Sequence, residues 1–449
     1  MPSFKRFIHF GCWNNSGCDY DKLDADVNPS DTALARVMKK IKKNVDTSKY
    51  KPEFITVAGD NYYPIIKKDK ATKIKTKILD EKDLISGFMC LPEDIKKYLL
   101  LGNHDLEALS NSTSNPVSVC QILDMQKDIE ADPTNNFEMD NLKDNYILHA
   151  QLSESTIIIM LDTSMYSNED KNLKKVETCY QRLFKIHNLD NPNKDTIKNV
   201  RELQKKRVES FIDEKLLPKL EKIKNIIVIG HHPLICFKTK DTITGLKTPE
   251  TETLAWNELN KLYFDSIYGK LKKNKHINYF YLCADLHQYQ VGDVIITNNS
   301  NSRDQMSIKQ YVVGTGGSRL EDMEVDLSLV QRGNDSSVLD TVTITYTNVS
   351  NIPAYGFLDC ILTHEGEFNP VFIPADMTGF EIKTFKGGYS KKKYKRKSHK
   401  KTHIKTHIKI HKKTHKKTHK KTHKKTHKKT HKKKYKRRCG KKTFTKHLI

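Results

Sequence analysis

Strand-length apolar runs that stop abruptly at small polar clusters recur along the chain. Phe7 to Gly11 and Phe54 to Ala58 are two of them, and a helix-like stretch of about Thr32 to Lys43 lies between, which predicts a β-α-β arrangement. Leu99 to Leu101 runs into Gly102-Asn103-His104-Asp105, Ile226 to Ile229 into Gly230-His231-His232-Pro233, and Tyr279 to Cys283 into Ala284-Asp285-Leu286-His287. Asn145 to Leu152 and Thr156 to Asp162 also read as strands. A long polar helix is expected from about Lys194 to Lys224, interrupted near Pro218, and the polar stretch from Asn168 to Asp195 is expected to be looped. Beyond His287 the pattern turns to β, with Val291 to Thr297, Tyr311 to Val313, Asp340 to Thr347 and Phe357 to Thr363 separated by Asn, Ser and Gly. Two packed sheets with helices outside fit this order, and in open α/β sheets ligands gather at the carboxyl ends of strands, where the polar clusters stand.

Composition divides the chain. Its 449 residues are 37% hydrophobic, low for a protein folded end to end. Residues 391–449 hold 29 Lys plus Arg and no acidic residue, so taking that charge from the net +25 leaves −4 on the first 390. The body is thus expected at residues 1–386 and a disordered Lys/His-rich tail at 387–449, where His recurs every fourth residue from 399 to 431. Any affinity for nucleic acid or another polyanion belongs to that tail. No run reaches the roughly 18 apolar residues of a membrane-spanning helix. Met1 to Phe10 lacks the apolar core of a secretory signal and reads as the first strand. The nine cysteines show neither the short spacings of a disulfide framework nor a CxxC zinc site, and their odd number suits a reducing, cytoplasmic setting rather than a secreted one.

The chemistry lies in the clusters. Gly11-Cys12-Trp13-Asn14, Gly59-Asp60-Asn61-Tyr62-Tyr63, and the three motifs containing His104, His231 and His287 place carboxylate, amide and imidazole donors at successive strand ends. A pair of hard or borderline cations takes such ligands, with a carboxylate between them. In this order the motifs resemble those of the calcineurin-like metallophosphoesterases, most closely the purple acid phosphatases of the tartrate-resistant type, over roughly residues 5–320. The resemblance implies an α/β fold, a four-layer α/β/β/α sandwich of two mixed sheets flanked by helices. It also implies a site of two divalent or trivalent cations, Fe, Zn or Mn, acting on a phosphorylated substrate. Carried over, it makes Asp60 the bridge and places Tyr63 and His287 on the first metal and Asn103 and His231 on the second. His104 becomes the phosphate contact and general acid, and His232 stands outside the ligand set.

Two positions depart from the family pattern. Cys12 stands where the family has an Asp ligand of the first metal, and Asp285 where it has a His ligand of the second. Both remain donors, while the second change adds negative charge, which predicts less electrophilic metals and a weaker hydrolase or altered metal preference. The expected function is hydrolysis of a phosphomonoester by a metal-activated hydroxide. The alternatives are a catalytically silent fold serving as a scaffold or polyanion binder, and phosphodiesterase action. The tail also resembles those of giant DNA virus proteins, which would place the chain in host cytoplasm or a virion.

Overall fold

A computed structural model describes residues 4–375, apart from isolated positions and pairs and the stretches 69–74, 107–119, 140–146, 167–178, 181–195, 241–246, 251–258, 321–335 and 339–341. The basic tail and nearly all of the segment expected to be looped between Asn168 and Asp195 lie outside the described residues.

Two mixed sheets dominate. The first runs, edge to edge, β18 (Phe368–Pro374), β17 (Gly356–Leu362), β1 (Lys5–Phe10), β2 (Phe54–Val57), β5 (Lys96–Leu99) and β6 (Phe137–Glu138). The second runs β15 (Ser336–Val338), β16 (Val342–Ile352), β13 (Tyr289–Asn298), β14 (Asn301–Val313), β12 (Asn278–Cys283), β9 (Asn225–Ile229), β8 (Thr156–Leu161) and β7 (Ile147–Ser153). Two hairpins stand apart, β3 (Ile65–Lys68) with β4 (Lys75–Ile78) and β10 (Cys236–Lys240) with β11 (Lys247–Glu250). β1, β2, β5 and β6 are parallel, as are β8, β9, β12 and β14. Among them β2, β8 and β9 are near-continuous apolar runs buried at every position, because both their faces are covered.

Helices lie on both sheets. α1 (Ala33–Thr47) is capped by Thr32, whose side chain accepts from the Ala35 N–H, and its buried Leu34, Val37, Met38, Ile41 and Val45 recur at helical spacing on the face that meets β17. α2 (Glu81–Met89) starts at the Asp80 cap, and α3 (Gln121–Ala131) packs beside β6. α4 (Thr196–Phe211) packs on β7 and then loosens into a wide turn over Ile212–Leu216 and a tight one over Leu217–Lys222. The interruption expected at Pro218 therefore begins earlier, because proline lacks an N–H and crowds the carbonyl four residues before it, so the bonding shifts upstream.

The two-sheet α/β expectation holds, and the structure extends it. β14 starts at Asn301 rather than Tyr311, since its first five residues are all polar with none buried, and only from Met306 does every second position turn inward. β17 and β18 lie beyond the span of the motifs yet belong to the first sheet, with β17 antiparallel to β1. The buried Arg6 binds Asp359 of β17 through Nε at 2.6 Å, the Tyr50 carbonyl at 2.7 Å and the Asn44 side chain, fastening the two ends of the sheet's sequence.

The cysteine expectation is corrected. Cys18 is bonded to Cys90 and Cys120 to Cys179, across 72 and 59 residues. Spacing gives no sign of bridges between loops that only the fold brings together, and the ground for reading a reducing compartment from the cysteines falls away. Cys12, Cys236, Cys283 and Cys360 are buried and stand outside these two bridges. Among the described residues no helix is long and apolar enough to cross a membrane.

Candidate metal centre

The polar clusters follow the carboxyl ends of β1, β2, β5, β9 and β12, and the folds of these short turns decide where the side chains point. Cys12, Asp60 and Asp285 each lie in the left-handed region, with φ of 53°, 52° and 53°. Non-glycine residues seldom adopt it, and such strain collects at functional sites. Glycines supply the room: at Gly59 φ is +81°, and a Cβ on Gly102 would stand 2.3 Å from the Asp60 backbone nitrogen and the same distance from its Oδ1.

Two groups of donors result. Cys12, Asp60 and His287 each offer a ligand atom within 4.8 Å of the others, and so do His231, His232 and Asp285. Asp60 lies between them. Its Oδ2 accepts from Tyr63 Oη at 2.7 Å and faces Cys12 Sγ at 3.7 Å, while its Oδ1 accepts from the His104 N–H at 3.0 Å and lies 3.4 Å from His231 Nε2. Asn103 Oδ1 is 3.1 Å from His231 Nε2, and Tyr63 Oη is 3.0 Å from His287 Nε2. The His104 ring stacks at a tilt on Tyr63, with centroids 4.5 Å apart. Every residue singled out from the sequence, Cys12, Asp60, Tyr63, Asn103, His104, His231, Asp285 and His287, lies in this constellation.

Hydrogen-bond counting assigns the imidazoles. His231 Nδ1 is 2.6 Å from the Ala58 carbonyl and His287 Nδ1 is 2.9 Å from that of Arg319, so each Nδ1 carries the proton and donates it. Each Nε2 then turns a lone pair into the site, the tautomer that a carbonyl partner fixes for metal ligands. His232 differs. Thr163 Oγ1 accepts from the His231 and His232 backbone N–H groups at 2.9 and 3.0 Å, which uses both its lone pairs and leaves its O–H to donate to His232 Nδ1 at 3.1 Å. In the neutral ring the proton is then on Nε2, so His232 sits with the second group of donors in a tautomer unsuited to ligating through that nitrogen.

The electrostatics fit a cation. The His231 Nε2 lone pair faces oxygens of Asn103, Asp60 and Asp285, the last at 3.7 Å, and all of them are acceptors. Burial and then the Asp60 charge push the Cys12 thiol well above its usual value, and the same two causes raise the Tyr63 phenol. Burial acts upward on Asp60 too, but the positive charge that His231 and His104 carry when protonated, with the hydrogen bonds from the His104 N–H and Tyr63, outweighs it and holds the carboxyl below the ordinary range. A positive ion at this point reverses the penalties on thiolate and phenolate together. Thiol, phenol, carboxylate, amide and imidazole form a donor set suited to Fe, Zn or Mn.

The supports were less legible. Asp105 is buried and accepts from the Asn61 and Gly102 N–H groups at 2.9 and 2.8 Å and from Gln126 of α3 at 2.8 Å, fixing the turns on both sides of Asp60. Burial and then the Asp60 charge push its carboxyl up to about 7. Asp105 follows His104 directly in a recognisable motif, whereas Gln126 carries no sequence signal.

The sequence matches the family model of calcineurin-like phosphoesterases over residues 5–289. The chain belongs to that family, whose activity is metal-dependent hydrolysis of phosphoesters. No curated protein sequence matches it. Among solved structures it is similar to GAP50, described as the anchor in the inner membrane complex of Plasmodium, with 15% identity, 83% of this chain and 85% of that one covered, and a TM-score of 0.42. It is also similar to PhoD, with 11% identity, 83% and 69% covered, and a TM-score of 0.41.

Proposed function

We propose that the chain hydrolyses a phosphomonoester, in the manner of the purple acid phosphatase type, at a centre for two metal ions bridged by Asp60. Cys12, Tyr63 and His287 hold the first ion, and Asn103, His231 and Asp285 the second. The position of Asp60 between the two donor groups, one carboxylate oxygen toward each, carries this reading. When bound, two such cations supply a nucleophile from water at neutral pH and stabilise charge on the phosphoryl group. The residues of the chain do the rest. Carbonyl bonds orient His231 and His287, Tyr63 and the His104 N–H aim the two Asp60 oxygens, and His104, partly open to solvent, hands a proton to the departing alcohol oxygen.

His104→Ala tests the assignment. With an aryl phosphate and Mn²⁺, Fe or Zn²⁺ supplied in turn, the variant should turn over about 10²- to 10⁴-fold more slowly than the wild type while retaining its metal. Equal rates in both proteins would assign any turnover to contamination and leave a silent fold that serves as a scaffold.

The tail at residues 387–449 supplies the second part of the reading, loose association with polyanions. The full chain should bind random-sequence duplex DNA with an affinity that falls linearly with salt on logarithmic axes, and removing residues 387–449 should abolish binding. Binding that survives the deletion would move the contact to the body.

A further inference from the structure

The Cys120–Cys179 bridge joins two supports of the candidate centre that no sequence motif connects. Cys120 precedes α3, and α3 carries Gln126, which donates to Asp105 at 2.8 Å and accepts from Asn61 at 3.2 Å. At the other end, Cys179 is followed by Tyr180, whose hydroxyl donates to Asp162 Oδ2. Asp162 follows β8 directly. Its other oxygen accepts from the Ser164 N–H at 2.9 Å, and its carbonyl accepts from Gln204 of α4 at 3.0 Å. Between Asp162 and Ser164 stands Thr163, the residue that holds the backbones of both His231 and His232. Cys120, Cys179, Tyr180, Asp162 and Thr163 are all buried.

We propose that Tyr180, tethered by the Cys120–Cys179 disulfide, is a positioning residue for the second metal's ligands, and that opening this disulfide loosens that metal. The inference rests on the two-metal reading above. Tyr180 sets the Asp162 carboxylate, Asp162 sets the turn through Thr163, and Thr163 sets the height at which His231 meets Asn103 and Asp285. The first metal's donors, Cys12, Tyr63 and His287, are reached through none of the contacts that run from Tyr180, so removing its hydroxyl affects one of the two ions, whereas the Cys120 end of the bridge also carries Gln126, which bonds Asp105 and Asn61 beside Asp60. The chemistry of the switch balances: a dithiol breaks the S–S bond, its two electrons and two protons pass to Cys120 and Cys179, which become thiols, and the dithiol closes to its own disulfide. A chain held oxidised therefore keeps its second metal site aligned, and a chain exposed to reductant does not.

Calorimetric titration of the full-length, metal-stripped protein with Mn²⁺ provides the test, with Asp60→Ala run alongside so that binding by the His-rich tail is subtracted. Oxidised wild type should bind two ions beyond the Asp60→Ala level. Tyr180→Phe, which keeps the ring and removes the hydroxyl, should weaken one of them by about tenfold and leave the other unchanged, a split that general destabilisation would not give, since it would lower both. Wild type reduced by dithiol and then freed of it under anaerobic conditions should weaken that same ion by at least as much, and the paired Cys120→Ser, Cys179→Ser variant should do so without responding to dithiol. Two unaltered binding steps in Tyr180→Phe and in the reduced protein, with thiol counting proving the bridge open, would overturn the inference and leave the two-metal reading standing. Oxidised wild type that binds no more Mn²⁺ than Asp60→Ala would overturn both.

Discussion

Asp60→Asn should abolish hydrolysis and release both metal ions. The substitution keeps the size of the side chain and the oxygen that accepts from the His104 N–H, so the turn after Gly59 survives. It removes the one charge placed between the two donor groups. It also sets an amide N–H against Tyr63 Oη or Cys12 Sγ, both of which now point their protons at the carboxylate. Each cation contributes several kcal/mol of charge stabilisation to phosphoryl transfer, and at 1.36 kcal/mol per factor of ten the rate should fall on the order of 10³-fold or more. Plasma mass spectrometry on wild type and variant in parallel reads the metal content, and the difference between them cancels whatever the tail holds. A variant that keeps both ions would remove Asp60 from the bridging role.

The largest stability effect is expected far from the site, at Asp359→Ala. Arg6 has side-chain exposure of 4% and Asp359 of 10%, and Arg6 directs N–H groups at Asp359, Asn44 and the Tyr50 carbonyl. Removing the carboxylate leaves a buried guanidinium without its counter-charge, which costs about 3–5 kcal/mol. A double change, Arg6→Met with Asp359→Leu, removes both charges and should recover most of that loss, because an ion pair and a well-packed apolar pair of similar volume are close in energy. Urea titration of the three proteins checks this through the midpoint at unchanged slope. A loss below about 1 kcal/mol in Asp359→Ala would mean that Asn44 and the Tyr50 carbonyl hold the guanidinium unaided, the level expected of an exposed pair.

The two examples separate what the sequence discloses from what it conceals. The place of Asp60 in the cluster of donors was legible because a candidate metal site at strand ends needs particular donors in a particular chain order, and apolar runs mark each strand end. Arg6 with Asp359 was not, since nothing in a lone Arg or a lone Asp tells that their strands are neighbours. The same holds for Cys18 with Cys90 and Cys120 with Cys179, and for Gln126, a helical glutamine whose meaning appears only when α3 brings it to Asp105. The first half of β14 was hidden differently: Asn301 to Gln305 are polar with none buried, and beyond them Met306 and Ile308 stand singly between polar residues, where apolar runs cannot mark a strand. Residues with an intrinsic chemistry are read from the chain, and residues whose role is a partnership wait for the fold.

The pairing of β1 with β17 also bears on how the chain is made. β1 comprises residues 5–10, and its antiparallel neighbour, residues 356–362, is almost the last part of the folded body to be synthesised. At about 5–20 residues per second on the ribosome, the edge of β1 waits tens of seconds for the strand that covers it. Throughout that interval β1 would present an unpaired row of backbone N–H and C=O groups, beside the apolar side chains of Phe7, Ile8 and Phe10, to any other extended segment within reach. The sheet that carries Cys12 and Asp60 is thus sealed by its final strands, and synthesis cut short before them leaves a chain with its site motifs complete and its aggregation edge open.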